Sequence, residues 1–176
     1  MITYTRTYIT PLQPKPEQIN IKDIAHALSL ICRANGHFDY FYSVAQHSIN
    51  CALEAKARNL SRKIQLACLL HDGSEAYIAD IIRPIKEKMK DYLKIEEKLQ
   101  NCVFEKFEIN NLNSEEKISV KQIDDDVLYY EFENICNEKI YNEKPIIYGE
   151  LDFSEQPFRK TETKFNEMFE IIMYEK

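Results

Sequence analysis

Apolar residues recur every three or four positions along most of the chain, and this spacing is typical of amphipathic helices. The pattern predicts a first helix that begins at Ile21 and stops at Gly36. It predicts a second helix over residues 43–59, because Ser43 is a suitable N-cap and Gln46 follows at the spacing of a capping box. This part of the chain is therefore predicted to be helical.

The helical pattern continues to the end of the chain. The run IQLACLLHD after Ser61 is apolar nearly all round, which predicts a buried helix, and EAYIADII continues it to Pro84. Three more helices are predicted to follow: a long amphipathic helix, a helix that Ser114 caps and that runs to about residue 138, and a last helix that includes Phe165 and Ile172. Only the first 20 residues, with three prolines, favour an extended lead-in and a small strand pair. The predicted fold class is all-α, a bundle of six or seven helices.

The composition is that of an ordinary globular protein, with 44% apolar and 30% charged residues. The 176 residues contain no Pro- or Gly-rich linker, so we expect one domain over residues 1–176. The net charge of -6 argues against a general nucleic-acid binder, because proteins that follow phosphate backbones usually carry a basic face. No run has the length of a membrane span or the form of a signal peptide, so we expect a cytoplasmic protein without a membrane partner.

The five cysteines form no C-x-x-C pair and no close cluster with histidine. Each falls within an apolar helical pattern, so we expect small, reduced core residues rather than disulfides. This expectation agrees with a reducing compartment such as the cytoplasm.

Four ionisable residues interrupt the apolar stripes of three predicted helices: His47, His71, Asp72 and Asp124. Buried charge is costly unless it is paired or binds a metal. Taken singly, each has a structural explanation as a hydrogen-bonded core histidine, a helix cap or part of the solvated DDD run. Taken together, their nitrogen and oxygen donors suit Mn, Fe, Co, Ni or Zn. Calcium is disfavoured, because DDD lacks the spacing and the glycine of a calcium loop.

The order H…HD…D resembles the signature of the HD-domain metal-dependent phosphohydrolases. The chain also resembles small prophage-type HD proteins that are related to the bacterial 5′-deoxynucleotidases. The segments that carry this resemblance are, in order, DIAHALSLICRANGH, FYSVAQHS, LLHDGSEAYIADIIRPIK, VKQIDDDVLYYE and ELDFSEQPFRKTETKFNEMF. Similar short proteins in some phages remove triphosphate from deoxynucleotides. The resemblance implies a helical bundle that holds one divalent metal ion, with the ligands His47, His71, Asp72 and Asp124.

The resemblance also implies roles for residues around these ligands. Glu75 and Asp80 match the catalytic acids of the family. Arg33 and Lys86 match its substrate-binding residues, and their side chains offer a fork and a point charge to phosphate. Glu75 follows the HD aspartate by three positions, so a continuing helix would place it on the metal side to orient or deprotonate water. His37 has two interpretations, contact with the nucleotide and a structural role at a helix end.

Two positions depart from the family pattern. Gly73 stands where relatives usually carry alanine, and Ile82 stands where many carry proline. The glycine is expected to loosen the helix at the HD pair, and Ile82 to reshape the pocket rim. Neither departure removes a candidate catalytic group.

Three adjacent aspartates compete for the last ligand position. Successive helical residues point about 100° apart, so the three cannot share one direction. Asp124 aligns with Leu128 and Glu131 on the stripe that is expected to face the core. Asp125 is the competitor, since it could reach a phosphate-side water or an additional ion such as Mg²⁺. Asp126 is the least suited, and its asparagine variant is expected to behave almost like the parent.

The predicted function is the metal-dependent release of phosphate from deoxynucleoside 5′-monophosphates. The alternative with the same site is release of triphosphate from deoxynucleoside triphosphates. Only Arg33 and Lys86 offer positive charge near the motifs, and a triphosphate would normally need more cations. The alternative from another class is a non-catalytic nucleotide sensor, which would have lost a ligand or Glu75. The resemblance also suggests a homo-oligomer, a dimer or larger.

Overall fold

The computed structural model describes residues 1–174, apart from the side chain of Arg83. Its regular elements are helical, which confirms the all-α prediction. Six helices have nine or more residues, two have a single turn, and short 3-10 turns lie at residues 16–18 and 33–36. The helices are α1 (Ile21–Leu30), α2 (Val44–Ala57), α3 (Arg62–Leu70), α4 (Glu75–Ile78), α5 (Arg83–Lys86), α6 (Lys90–Lys106), α7 (Ser114–Ile135) and α8 (Phe158–Tyr174).

The predicted N-terminal strand pair is absent from the described residues, where one isolated antiparallel bridge joins Ile2 and Tyr8. The backbone N–H of Thr5 donates to Asp23 Oδ1 over 2.6 Å, and the Thr5 hydroxyl donates to Oδ2 over 2.8 Å. The side chain of Asp23 on α1 therefore holds the tip of this turn, and the turn's own backbone bonds, such as that from the Thr3 N–H to the Thr7 carbonyl, close the rest of it.

Capping residues explain where the main helices begin. The Ser43 hydroxyl accepts from the Gln46 N–H over 3.2 Å, as the sequence predicts, and the Ser61 hydroxyl accepts from the Ile64 N–H over 3.3 Å. Helix α7 begins one residue earlier than predicted, because its cap is not Ser114 but Asn113, which forms a reciprocal capping box with Glu116.

The segment after α3 is less regular than the sequence predicts. A turn at residues 71–74 separates α3 from α4, and Ala79 ends α4 with a positive φ of 68°. Gln100 of α6 stabilises the turn, because its amide donates to the Leu70 carbonyl over 2.7 Å and accepts from the Ser74 N–H over 3.0 Å. The helix is interrupted at the HD pair, where Gly73 is expected to loosen it, but the turn itself is tightly packed. A Cβ at Gly73 would lie 3.0 Å from both the Leu70 carbonyl oxygen and Val103 Cγ1, so α6 packs tightly against it.

Helix α2 lies at the centre of the bundle and contacts α1, α3, α7 and α8. Its residues 44–52 are all buried. The main apolar core joins α1, α2, α3, α6 and α8, and a smaller apolar cluster between α2, α3 and α7 includes Cys51, Cys68 and Ile123. All five cysteines are free thiols, and three of them are buried. No helix within residues 1–174 combines the length and the apolar character needed to cross a membrane.

Candidate metal centre

Three helices bring the four predicted ligands to one place. His47 lies in the first turn of α2, His71 and Asp72 directly follow α3, and Asp124 lies in the middle of α7. Helix α2 packs against both α3 and α7, and α3 also packs against α7. The three ligand-bearing elements therefore meet pairwise, and their polar side chains point into the shared junction.

The donor atoms of these side chains are close together. The Nε2 atoms of His47 and His71 lie 3.2 Å apart. Asp124 Oδ1 lies 3.2 Å from Nε2 of His47 and 3.8 Å from Nε2 of His71. Asp72 Oδ2 lies 3.4 Å from Nε2 of His71 and 3.9 Å from Nε2 of His47. Ligand bonds of about 2.0–2.2 Å would separate neighbouring ligand atoms by roughly 3–3.6 Å, so the spacing suits one ion.

Each imidazole has its other nitrogen bound to the protein. His47 Nδ1 lies 2.6 Å from Glu131 Oε1, and His71 Nδ1 lies 2.7 Å from the Cys68 carbonyl oxygen. Carboxylate and carbonyl oxygens only accept, so both Nδ1 atoms carry the proton that is donated. Both Nε2 atoms consequently face the cluster, the orientation that metal-binding histidines usually have.

The electrostatics of the cluster keep the two aspartates ionised. Burial would raise the pKa of Asp124, but hydrogen bonds from His47 and His71 hold that pKa well below its ordinary value. Burial also opposes ionisation of Asp72, and the two imidazoles with Arg33 lower its pKa. Asp72 Oδ2 is buried and has no hydrogen-bond partner within the described residues. A buried carboxylate oxygen in this state fits a cation ligand.

Cys51 is a further candidate donor that the sequence analysis treated as a core residue. It follows His47 by one helical turn, and the donor atoms of His47, Cys51 and His71 all lie within 4.8 Å of one another. Burial raises the pKa of the Cys51 thiol to about 11, so it is protonated at neutral pH. A bound metal ion deprotonates a coordinating thiol, so Cys51 remains a candidate donor beside the two imidazoles and the two aspartates.

Glu75 lies beside the cluster at the start of α4. Its side chain is buried, its Oε1 lies 3.7 Å from Lys86 Nζ, and its Oε2 has no hydrogen-bond partner among the described residues. Burial, followed by the charges of Asp72 and Asp80, raises the pKa of Glu75 well above its ordinary value. Glu75 therefore holds a proton at a higher pH than an exposed glutamate does.

The two predicted substrate-binding cations contact different acidic groups. One Arg33 nitrogen donates to Glu131 Oε2 over 3.3 Å, and the other lies 3.6 Å from Asp72 Oδ2. Lys86 Nζ lies 2.6 Å from Glu96, so α6 supplies its main partner. Lys121 is a third cation that the sequence analysis missed, and its Nζ contacts Asp124 over 2.9 Å and Asp125 over 2.6 Å.

The remaining predicted residues are less closely tied to the cluster. Asp80 is half-buried, and its charge contributes to the raised pKa of Glu75. His37 is exposed at the end of the turn over residues 33–36, and within residues 1–174 no hydrogen bond or ion pair joins its side chain to the cluster. Contact with a nucleotide and a structural role at the end of this turn both stay predictions for His37.

The DDD run divides into three environments. Asp124 lies in the cluster, and Asp125 contacts Lys121. Asp126 is buried, which revises the expectation that this position tolerates change: its carboxylate accepts from Arg58 over 2.7 Å and from Gln122 over 2.8 Å. The hydrophobic pattern of α7 could not predict the ion pair between Asp126 and Arg58, because Arg58 lies at the end of a different helix, α2.

Comparison with known proteins identifies relatives but no activity. No known family model matches the chain. The chain is 41% identical over 91 residues to the uncharacterized protein YfdR of Escherichia coli K12, a match that covers 52% of this chain and 48% of YfdR. It is 40% identical over 101 residues to an uncharacterized protein of Rhodobacter capsulatus, covering 54% of this chain and 52% of that protein. The chain thus spans about half the length of the curated relatives it matches.

Proposed function

We propose that this protein is a metal-dependent phosphohydrolase of the HD-domain type that releases phosphate from deoxynucleoside 5′-monophosphates. The observation that carries the proposal is the convergence of two imidazole Nε2 atoms and two carboxylate oxygens from three helices. His47, His71, Asp72 and Asp124 would hold one divalent ion of the series Mn, Fe, Co, Ni or Zn. When bound, such an ion lowers the pKa of a water molecule and polarises a phosphoryl oxygen.

Glu75 is the proposed proton-transfer group. Its buried Oε2 has no hydrogen-bond partner among the described residues, and burial, with the charges of Asp72 and Asp80, raises its pKa well above the ordinary value of a glutamate. A general acid or base works best when its pKa lies near the operating pH. In this role Glu75 receives a proton from water or delivers one to the departing 5′-oxygen, and Asp80 helps to set its proton affinity.

Arg33 and Lys86 are the proposed phosphate-binding groups. Arg33 presents a planar fork beside Asp72, and one of its five donors is used by Glu131. Lys86 brings a second positive charge beside Glu75. These two cations match the charge of a monophosphate.

Release of triphosphate from deoxynucleoside triphosphates is the second candidate function, and Lys121 is the observation that favours it. Lys121 is exposed and contacts Asp124, so it adds a cation at the solvent side of the cluster. A longer phosphate chain carries more negative charge and would gain from this third cation.

The test is incubation of protein loaded separately with Mn²⁺, Co²⁺, Ni²⁺, Fe²⁺ and Zn²⁺ with panels of deoxynucleoside mono- and triphosphates, followed by identification of products by mass. We expect inorganic phosphate and a deoxynucleoside from the monophosphates, and no product from the metal-stripped protein. Intact triphosphate as the main product, lost in Lys121→Ala, would favour the second candidate. Nucleotide binding without any product would favour the sensor.

A further inference from the structure

A fully buried carboxylate on α7 joins two parts of the candidate site. Glu131 has no exposed side-chain surface. Its Oε1 accepts from His47 Nδ1 over 2.6 Å, and its Oε2 accepts from an Arg33 nitrogen over 3.3 Å. Glu131 follows Asp124 by two helical turns, so α7 supplies both a predicted ligand and this acceptor.

We propose that Glu131 is a positioning residue that orients the His47 imidazole and the Arg33 guanidinium with one carboxylate. This inference rests on the proposed function, because it gives the two partners the roles of metal ligand and phosphate-binding group. The bond to Nδ1 directs the Nε2 atom of His47 towards His71 and Asp124. The second oxygen keeps the guanidinium beside Asp72, where a phosphoryl group would bind.

A purely structural buried ion pair is the alternative, and the molecule contains such a pair for comparison. Glu54 of α2 is also fully buried and also binds an arginine, since it accepts from Arg58 Nε over 2.7 Å. Its other partners are the backbone N–H groups of Tyr148 and Gly149. Loss of either carboxylate leaves buried donors without a partner and lowers stability. Only loss of Glu131 should change His47.

The experiment compares Glu131→Gln with Glu54→Gln. Affinity for Zn²⁺ and Mn²⁺ is measured by competition with a chromophoric chelator, on protein shown to be folded by circular dichroism. We expect Glu131→Gln to bind both ions about 10- to 100-fold more weakly, the usual effect of removing a carboxylate behind a histidine ligand. Glu54→Gln should keep the affinity of the parent although its melting temperature falls.

A second readout reports on His47 directly. In ¹H–¹⁵N spectra of the metal-free protein, the Nδ1-bound proton of His47 should be visible and slow to exchange in the parent and in Glu54→Gln. It should be lost to solvent exchange in Glu131→Gln. If Glu131→Gln does not fold, Glu131→Asp keeps the charge but is too short to hold both partners, and we expect the same losses.

The outcomes separate this inference from the proposed function. Parent-like metal affinity and a retained Nδ1 proton in folded Glu131→Gln would overturn the positioning role and leave the metal centre intact. A parent that binds no divalent ion would overturn the proposed function, and the Nδ1 proton would still decide the role of Glu131. Absence of that proton in the parent overturns the inference without any variant.

Discussion

At the scale of single residues, each imidazole of the site binds the protein through Nδ1 and presents Nε2 to the cluster. His71 donates to the carbonyl of Cys68, which belongs to the last turn of α3 and has no partner within the helix. His47 donates to Glu131. The same hydrogen bonds that satisfy a helix end and a buried carboxylate therefore also set the direction of both ligands.

Asparagine variants of the three adjacent aspartates test which of them is a metal ligand. We expect Asp124→Asn to lose metal and turnover, because a neutral amide replaces a carboxylate that lies 3.2 Å from His47 Nε2. Asp126→Asn should keep both but lose about 1–3 kcal/mol of unfolding free energy, since Arg58 would be left beside a neutral group. Metal content, turnover and urea unfolding are measured for both variants and for Asp125→Asn. A fully loaded and active Asp124→Asn would show that another aspartate is the ligand.

Glu75 is expected to act in proton transfer and not as a ligand. Glu75→Gln keeps the size of the side chain and resembles its protonated form, so metal content should equal that of the parent. Turnover should fall by roughly two to four orders of magnitude, the usual range for a lost proton-transfer group. Steady-state rates on the best substrate of the panel provide the measurement. Near-parental turnover in a metal-loaded variant would remove Glu75 from the mechanism.

At the scale of elements, periodicity and capping residues predict the main helices, because both signals are local. Ser43 and Ser61 cap where the sequence places them. Of the stripe that is expected to face the core, Glu131 is buried, whereas Asp124 and Leu128 are half-buried. The features that the sequence does not predict depend on residues that are distant along the chain. The break after His71 depends on α6, and the charge neighbour of Asp126 lies at the end of another helix. The four predicted ligands interrupt apolar stripes and are visible in the sequence, whereas the contacts of Lys121 are not.

Helix α2 also attaches the connection between α7 and α8, residues 136–157, through side chains on one of its faces. Gln46 donates to the carbonyls of Asp152 and Ser154. Asn50 donates to the Asp152 carbonyl over 2.9 Å and accepts from the Asp152 backbone N–H over 3.2 Å. Glu54 accepts from the backbone N–H groups of Tyr148 and Gly149. These side chains are spaced one helical turn apart, so one face of α2 provides the acceptors and donors that the irregular connection needs.

Removal of the central attachment should destabilise the protein. We expect Asn50→Ala to lower the unfolding free energy by about 1–3 kcal/mol, because the Asp152 backbone groups and the Tyr42 hydroxyl each lose a partner. Lys56→Ala, an exposed change on the same helix, is the control and should stay within about 0.5 kcal/mol of the parent. Urea unfolding monitored by circular dichroism compares the three proteins. Equal midpoints for Asn50→Ala and the parent would contradict the attachment.

At the scale of the whole molecule, the candidate metal centre lies where three helices meet and concentrates charge there. Three carboxylates, those of Asp72, Asp124 and Glu131, share this junction with the guanidinium of Arg33. Burial and Arg33 lower the pKa of His47, but Glu131 and Asp124 help to raise it well above its ordinary value, so bound protons offset part of the negative charge. A divalent ion would offset the same charge and join α2, α3 and α7 through direct bonds.

Metal binding should therefore raise the melting temperature of the whole protein. An ion that binds only the folded state at 100 times its Kd stabilises by about 2.7 kcal/mol, which corresponds to a rise of about 5–10 °C for a chain of this size. A chelator should reverse the rise.

His71→Ala should remain largely helical but lose the rise in melting temperature, the bound metal and any hydrolysis, because one of the two predicted nitrogen ligands is gone. His26→Ala is the matched control, since His26 stacks on Tyr4 and pairs with Glu162 on α8. Its metal-free melting temperature is expected to fall, yet its rise on metal addition should equal that of the parent. Thermal melts with and without metal, combined with elemental analysis, distinguish these cases, and full metal occupancy in His71→Ala would contradict the assigned ligands.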